Sequence, residues 1–81
     1  MARLEYVDLC HNHLRGEIPA ALYNVSSLAS LDVGQNALHG GIPAGIHVQL
    51  PRLRYLALFE NHFSGAIPPS ISNLTQLEEL E

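Results

Sequence analysis

Aromatic and acidic side chains recur at regular intervals along this sequence of 81 residues. The stretches EYVDLC, ASLDVG and RYLALF alternate such residues with apolar ones. Two tyrosines, a phenylalanine and several carboxylates on one face could contact a basic or amphipathic ligand such as a peptide. An open alternative is that they are merely the side chains that an exposed face tolerates. The candidate contact residues are Tyr6, Asp8, Cys10, Ser30, Asp32, Tyr55, Phe59 and Glu60.

The same segments lack the pairings that catalysis requires. Cys10 is the only cysteine, and no histidine base is arranged to activate it, so we predict no nucleophile. Asp8 and Asp32 hold equivalent positions, but an open face lacks the burial that separates the pKa values of catalytic carboxylates. The sequence contains no glycine-rich phosphate loop and no HRD or DFG element. We therefore predict no enzymatic activity and no cofactor.

Histidine is the remaining candidate for chemistry, as a metal ligand. His13 and His62 both follow an asparagine, in segments that a repeat places two strands apart. Parallel strands lie about 4.8 Å from each other, so the two histidines should be roughly 10 Å apart. One zinc ion cannot span that separation, because each ligand atom lies about 2 Å from the metal. We predict no metal site.

Two asparagines, Asn24 and Asn73, begin the N-glycosylation sequons NVS and NLT. Both fall at the same position of the repeat, on the side opposite to the alternating segments, so glycans there would leave the candidate contact face open. The alternative is that both positions simply carry a polar turn residue.

A repeat of 24 to 25 residues positions all of these side chains. GEIP, GGIP and GAIP return at that spacing, and such a fixed period indicates a solenoid whose units stack on one another. The predicted units are residues 4–27, 28–52 and 53–76, and residues 77–81 begin a fourth.

Each unit opens with a short strand, because apolar and polar residues alternate there with a period of two. Successive strands should pair in parallel, with one set of side chains inside. The inward residues are Val7, Leu9, Leu31, Val33, Leu56 and Leu58. The outward residues form three rows: Tyr6, Ser30, Tyr55 and Glu79; Asp8, Asp32, Ala57 and Glu81; and Cys10, Gly34 and Phe59.

We interpret the asparagine after each strand and the Gly-x-Ile-Pro motif as structural. An asparagine side chain both donates and accepts, so a column of them can satisfy buried backbone groups between units. The glycine permits a backbone angle that a Cβ would forbid, and the proline fixes φ where a short helical turn begins. These positions are Asn12, Asn36, Asn61, Gly16, Gly40, Gly65, Pro19, Pro43 and Pro68. The predicted core is completed by Ile18, Ile42, Ile67, Leu22, Val25, Ile46, Leu50, Ile71 and Leu74.

Over residues 4–81 the units resemble leucine-rich repeats of the plant-specific type, LxxLxLxxNxLxGxIPxxLxxLxx. The resemblance implies an α/β-type solenoid with a short parallel sheet on its concave face and helical or 3-10 turns on its convex face. The phrases GEIPAALYNVSSL, NHFSGAIP and SISNLTQLEEL are similar to extracellular repeats of plant leucine-rich-repeat receptor-like kinases. The similar group includes the flagellin receptor and the rice bacterial-blight resistance receptors.

This resemblance implies a non-catalytic binding module on the extracellular side of the plasma membrane. It further implies a peptide or protein ligand, a co-receptor as a second partner, and a role in defence signalling. The family's membrane span and kinase domain are not part of the matching pattern. Two alternatives stay open: a truncated or relic gene product without independent function, and a short inhibitor-type leucine-rich-repeat protein. The lack of terminal caps favours a fragment, because a solenoid must close its terminal core.

Charge and hydropathy exclude other classes of partner. The net charge is -4, and the four basic residues, all arginines, form no stripe for phosphates, so we predict no nucleic-acid binding. No apolar run approaches the roughly 20 residues that a membrane-spanning helix needs. The start, MARLEYVDLC, also lacks the pattern of a signal peptide. We expect no direct membrane insertion by this chain.

Overall fold

The computed structural model describes residues 4–64 and 69–81. Within these ranges the chain forms short strands in two parallel sheets, two 3-10 turns and one short α-helix. Parallel strands joined by crossovers around one core confirm the predicted α/β-type solenoid. Gly65 and Pro68, which the sequence predicts as turn positions, and the predicted core residue Ile67 lie outside the described residues.

The first sheet forms where the sequence alternates, at the start of each repeat. Its four strands are β1 (Tyr6–Asp8), β3 (Ser30–Asp32), β5 (Tyr55–Ala57) and β7 (Glu79–Leu80), and they lie in that order. In the register of the sheet, Ser30 pairs with Tyr6 on one side and with Tyr55 on the other, and Tyr55 pairs with Glu79. The sequence therefore predicted the alignment of this outward row correctly.

A second parallel sheet, which the sequence did not predict, follows the asparagine of each repeat. It consists of β2 (Arg15–Gly16), β4 (Ala37–Gly40) and β6 (His62–Phe63). The Ala37 amide donates to the Leu14 carbonyl at 2.8 Å, and the Ser64 amide donates to the Gly40 carbonyl at 2.9 Å. The residues of these strands show no sustained alternation of apolar and polar side chains, so the sequence gives no signal for a pairing that depends on the stacking of the repeats.

Short helical segments cover the opposite side of the core. The 3-10 turn η1 (Ala20–Asn24), the α-helix α1 (Ile46–Gln49) and the 3-10 turn η2 (Pro69–Asn73) lie side by side, with α1 in contact with both turns. The carbonyls of Pro19 and Pro43 accept the amides of Leu22 and Ile46 at 3.0 and 3.2 Å. Each proline therefore stands where a helical segment begins, since its fixed φ suits the first residue of a turn.

The core is densest in the middle repeat. Leu28, Leu31 and Leu50 of this repeat have no exposed surface, and neither has Leu53, the first residue of the next repeat. Burying each stabilises the fold by roughly 2 kcal/mol relative to an exposed leucine. In the first repeat the predicted inward residues, such as Val7, remain partly exposed while packing against this cluster. Stability therefore rests on the middle repeat, which has a neighbour on both sides.

Tyr23 is a core residue that the sequence did not predict. We expected Leu22 and Val25 to fill this part of the core, but the structure leaves both half-buried and places Tyr23 inside, at 9% exposure. Burial raises the pKa of Tyr23 to about 12, because the phenolate would lose its hydration. A turn of five residues is too short for periodicity to identify its inward face.

The strands β1, β3 and β5 of the first sheet are each followed by a turn with left-handed backbone. His11, Gln35 and Glu60 occupy the same position of the three repeats, and their φ angles are 59°, 54° and 53°. This conformation is uncommon for residues with a Cβ. It reverses the chain and brings the following asparagine beneath the end of the strand. Gly16 and Gly40, with φ of 84° and 93°, supply a second left-handed position in their repeats.

Candidate ligand-binding face

The concave face consists of the outward side chains of β1, β3, β5 and β7 and of the residues that directly follow these strands. Its first row contains the predicted contact residues Tyr6, Ser30 and Tyr55, which lie on adjacent strands, and continues with Glu79. Tyr6 is 69% exposed, whereas Ser30 and Tyr55 are half-buried. The structure therefore brings the predicted residues of this row together on one accessible surface.

In the second row, two predicted contact residues are bonded to the backbone. Asp8 Oδ1 accepts the Cys10 amide at 3.0 Å, and Asp32 Oδ1 accepts the Gly34 amide at 2.9 Å. Each carboxylate thus closes the turn that follows its own strand. Ala57, which the sequence placed in the same outward row, is fully buried. Ala57 does align with Asp32 in the register, as expected, but the expectation that it is exposed was wrong, because its methyl group is too short to reach past longer side chains.

In the third row, Phe59 packs over Gly34. A Cβ built on Gly34 would lie 2.5 Å from Cε1 of the Phe59 ring, far inside a van der Waals contact. The glycine therefore makes room for the ring, which joins the second and third repeats across the concave face. Phe59 is half-buried as a result, and part of the surface that we expected to contact a ligand contacts the chain itself.

A hydrogen-bonded chain of side chains borders this row. Cys10 Sγ donates to Gln35 Oε1 at 3.5 Å, and Gln35 Nε2 donates to Glu60 Oε2 at 3.0 Å. The pKa of the Cys10 thiol is raised, first by desolvation and then by the carboxylates of Asp32, Asp8 and Glu60. A raised pKa keeps the thiol protonated, and a protonated thiol is a poor nucleophile.

An open pocket lies at the amino ends of the concave strands. Its volume is about 200 Å³. The pocket is lined by residues of the first row and by residues that directly precede them in the sequence. Ala29, Arg54 and Glu78 belong to these preceding residues and were not selected from the sequence. They could have been found because they occupy equivalent positions in consecutive repeats. The lining residues are Tyr6, Ala29, Ser30, Arg54, Tyr55, Glu78 and Glu79.

The backbone explains why these two positions arrive together in every repeat. The Glu5 carbonyl accepts the amides of Ala29 and Ser30 at 2.7 and 3.0 Å, and the Ala29 carbonyl accepts those of Arg54 and Tyr55 at 2.7 and 3.1 Å. The Arg54 carbonyl does the same for the amides of residues 78 and 79. These backbone groups at the amino ends of the strands are therefore paired with one another from repeat to repeat.

Charge within the pocket is unevenly compensated. Arg54 Nε forms an ion pair with Glu78 Oε2, which raises the pKa of Arg54 and lowers that of Glu78. The pKa of Glu79 is raised, because a hydrogen bond and the negative charge of Glu81 both favour its protonated form. The pocket is acidic on the side of these two carboxyls.

Tyr55 forms part of the same acidic edge. Its hydroxyl donates to Glu81 Oε1 at 3.2 Å. The pKa of Tyr55 is raised to about 12, by desolvation first, then by this hydrogen bond and by the surrounding carboxylates. The tyrosine therefore stays neutral at physiological pH and presents an aromatic wall together with a hydroxyl group.

The asparagine column lies beneath the concave face and carries the repeat-to-repeat bonding. Asn36 Oδ1 accepts the amides of Asn12 and Leu14, both at 3.0 Å. Asn36 Nδ2 donates to the carbonyls of Leu9, at 2.9 Å, and of its own repeat. Asn61 repeats the arrangement, with Oδ1 accepting the Leu38 amide at 3.0 Å and Nδ2 donating to the Val33 carbonyl at 2.8 Å. Each of these two asparagines therefore joins two repeats.

The two sequon asparagines lie on the convex side. Asn24 is the last residue of η1 and Asn73 is the last residue of η2, and both are exposed. Their use as glycosylation sites stays a prediction.

In residues 4–64 and 69–81, no group of three or more His, Cys, Asp or Glu side chains could hold a metal ion. His39 and His62 face each other across β4 and β6, but they form a pair only. In the same ranges, no helix has the length and apolar character needed to cross a bilayer.

The fold and the asparagine column define the class of protein. The family model for the leucine rich repeat matches residues 2–63, and the chain belongs to that family. Known proteins that are similar to it are plant receptors. Over 45 residues the chain is 49% identical to the LRR receptor-like serine/threonine-protein kinase EFR of Arabidopsis thaliana, a segment that is 54% of this chain and 4% of that protein. Over 45 residues, 56% of this chain, it is 36% identical to phytosulfokine receptor 1 of Arabidopsis thaliana, and that segment is 4% of the relative.

Proposed function

We propose that this chain is a non-catalytic binding module from the extracellular part of a plant leucine-rich-repeat receptor-like kinase, in the group that includes the flagellin receptor and the rice bacterial-blight resistance receptors. The observation that carries the proposal is the in-register row Tyr6, Ser30, Tyr55 and Glu79, which lines an open pocket on the concave face. Rigid, repeated surfaces of this kind suit extended protein and peptide partners.

The similarity to two plant receptors supports the type of partner. One relative is named as a receptor-like kinase and the other as a receptor for phytosulfokine. On this proposal the module binds a peptide or protein ligand outside the cell, with a co-receptor as a second partner and defence signalling as the output. Units at residues 4–27, 28–52 and 53–76 would each contribute one strand to the ligand face. Kinase activity would belong to another part of the parent protein.

The test is selection of ligands from a random dodecapeptide phage library on the 81-residue chain. Binding of the selected peptides is then measured by biolayer interferometry to the wild type and to the double variant Tyr6→Ala/Tyr55→Ala. We expect a loss of about tenfold or more, since tyrosines commonly dominate binding energy at interfaces. Val48→Ser removes an exposed apolar side chain on the convex side, at 72% exposure, and is the matched control. Peptides that lose affinity to the control variant but not to the tyrosine variant would contradict the proposal.

We also propose that Asn24 and Asn73 carry N-linked glycans. Their exposure on the convex side supports this, because glycans there would leave the concave face open. The chain can be secreted from plant cells with an added signal peptide and then treated with an endoglycosidase. We expect the mass of the protein to fall by the mass of two glycans. Ser26→Ala and Thr75→Ala should each abolish one glycan, and unchanged masses would refute the assignment.

A further inference from the structure

The pocket at the amino ends of the concave strands, called the slot below, is lined by tyrosines from two strands, Tyr6 and Tyr55. Ala29 and Ser30 form its floor, and Tyr6 and Tyr55 stand on the strands to either side of Ser30. Neighbouring parallel strands are about 4.8 Å apart, so the two tyrosines begin roughly 10 Å from each other. Two rings at that separation leave room for one flat group between them.

The charge of the slot favours a cation. Its lining holds one positive side chain, Arg54, and two negative ones, Glu78 and Glu79. Arg54 is paired with Glu78, and no second cation lines the pocket in the part of the chain that the structure describes. Glu79 instead faces Glu81, and a hydrogen bond with Glu81 together with the repulsion of its negative charge raises the pKa of Glu79. A cation bound between them would relieve that repulsion.

We propose that this slot binds a single arginine side chain of a peptide or protein partner. The inference rests on the proposed function, because it names the chemistry of one subsite for that partner. A guanidinium is planar, stacks on aromatic rings and donates two parallel hydrogen bonds to one carboxylate, which suits the tyrosine walls and Glu79. Arg54 shows that the edge of the slot already holds one guanidinium against a glutamate.

The size of the slot points to one side chain. Pockets that bind drug-sized molecules measure roughly 300–1,000 Å³, whereas this one has a volume of about 200 Å³. It is also open along the sheet, so the backbone of a partner can continue over the neighbouring strands. A lysine can reach Glu79 with its charge, but its ammonium group lacks the flat surface that both tyrosines could contact.

The experiment is an NMR titration of the 81-residue chain with Nα-acetyl-arginine N-methylamide. The matching citrulline compound, which has nearly the same shape but no charge, is the ligand control. We expect the ring signals of Tyr6 and Tyr55 to shift in a saturable way with arginine, and about tenfold weaker binding with citrulline. Tyr23 is buried on the other side of the core and serves as an internal reference that should not move.

Two variants separate the slot from general attraction of a cation to an acidic protein. Glu79→Gln should weaken arginine binding about fivefold or more, because it removes the acceptor inside the slot. Glu17→Gln makes the same charge change near Gly40, away from the slot, and should weaken it less than about twofold. Ser30→Leu fills the floor without changing charge and should abolish the shifts. Equal affinities for arginine and citrulline, or equal losses in the two glutamate variants, would overturn the proposal.

Failure of this inference can be told apart from failure of the proposed function. If peptides selected on the chain lose binding in the Tyr6→Ala/Tyr55→Ala variant but bind Ser30→Leu normally and need no arginine, the module is intact and the arginine slot is refuted. If the selected peptides ignore the concave face altogether, the proposed function is refuted. A circular-dichroism melt of each variant confirms that it is folded before its binding is compared.

Discussion

The two ends of the concave strands use similar side chains in different ways. At the amino ends, Tyr6 and Glu79 line an open pocket. At the carboxyl ends, Asp32 closes a backbone turn and Phe59 covers Gly34. The candidate contact residues therefore divide into a group that the scaffold leaves available and a group that the scaffold already uses. Residue type and exposure do not separate the two groups. What separates them is whether the side chain already contacts the turn or the neighbouring repeat.

The difference has a cause in the backbone. At the amino ends, the carbonyls of Glu5, Ala29 and Arg54 each accept two amides of the next repeat, so these backbone groups are paired with one another. At the carboxyl ends the chain reverses through left-handed residues, and amides and carbonyls are left that only side chains can reach. Asp32 and Asn36 meet that need. Substitutions of outward side chains should therefore destabilise the fold least at the amino ends of the strands, which is where we place the arginine slot.

The largest effect should come from Asn36→Ala. The change removes an acceptor for two amides and a donor for three carbonyls at a half-buried position, so we expect a loss of about 3 kcal/mol in the free energy of unfolding. Chemical denaturation measures it. Asn24→Ala, at an exposed position of η1, is the control and should change stability by less than about 0.5 kcal/mol. Similar losses in both variants would show that the column is not what holds the repeats together.

A smaller effect is expected for Gly34→Ala. The new methyl group would displace the Phe59 ring, and we expect a cost of about 1–2 kcal/mol, in the range for overpacking. In a Phe59→Ala background the same change should cost almost nothing, because the ring is gone. Thermal melts of the four proteins in this double-mutant cycle measure the coupling. Additive losses would contradict the contact between the second and third repeats.

Arginine binding at the slot should depend on pH. The pKa of Glu79 is raised by Glu81, so arginine binding should weaken on acidification at a higher pH than it would with an ordinary glutamate. The other groups that face this carboxyl are Tyr55, which stays neutral, and the ion pair of Arg54 and Glu78. Titrations with Nα-acetyl-arginine N-methylamide across the acidic range measure the midpoint.

Glu81→Gln sharpens the pH prediction. It removes the neighbouring negative charge and should move the midpoint to lower pH, because Glu79 then titrates more like an isolated glutamate. An unchanged midpoint would mean that another group controls binding.

The smallest effect on stability should follow from Arg54→Ala. The side chains of Arg54 and Glu78 are 58% and 61% exposed, and ion pairs in such positions are screened by solvent. We expect no measurable change in Tm in physiological salt. Arginine binding should become somewhat tighter, because Glu78 then becomes a second acceptor in the slot. A clear drop in Tm would show that the pocket end also belongs to the scaffold.

Parts of the fold and the site could be predicted from the sequence because they repeat. The period-two alternation identified the strands and placed Tyr6, Ser30 and Tyr55 in one row. The recurring asparagine indicated hydrogen bonds between neighbouring repeats. The second sheet, the inward position of Tyr23 and the burial of Ala57 were not predictable in this way, because each arises in a segment too short to show a period or depends on its neighbours.

The sequence by itself determined the solenoid and the position of each side chain within its repeat, because a fixed period combined with alternating hydrophobicity allows few other arrangements. Only the tertiary structure decided which outward residues stay available. Asp8 and Asp32 carry the same charge as Glu79, yet they are bonded to turns that the sequence does not show. The physical reason is that the need for a hydrogen-bond acceptor depends on how the backbones of neighbouring repeats meet, and that is settled only when the repeats stack.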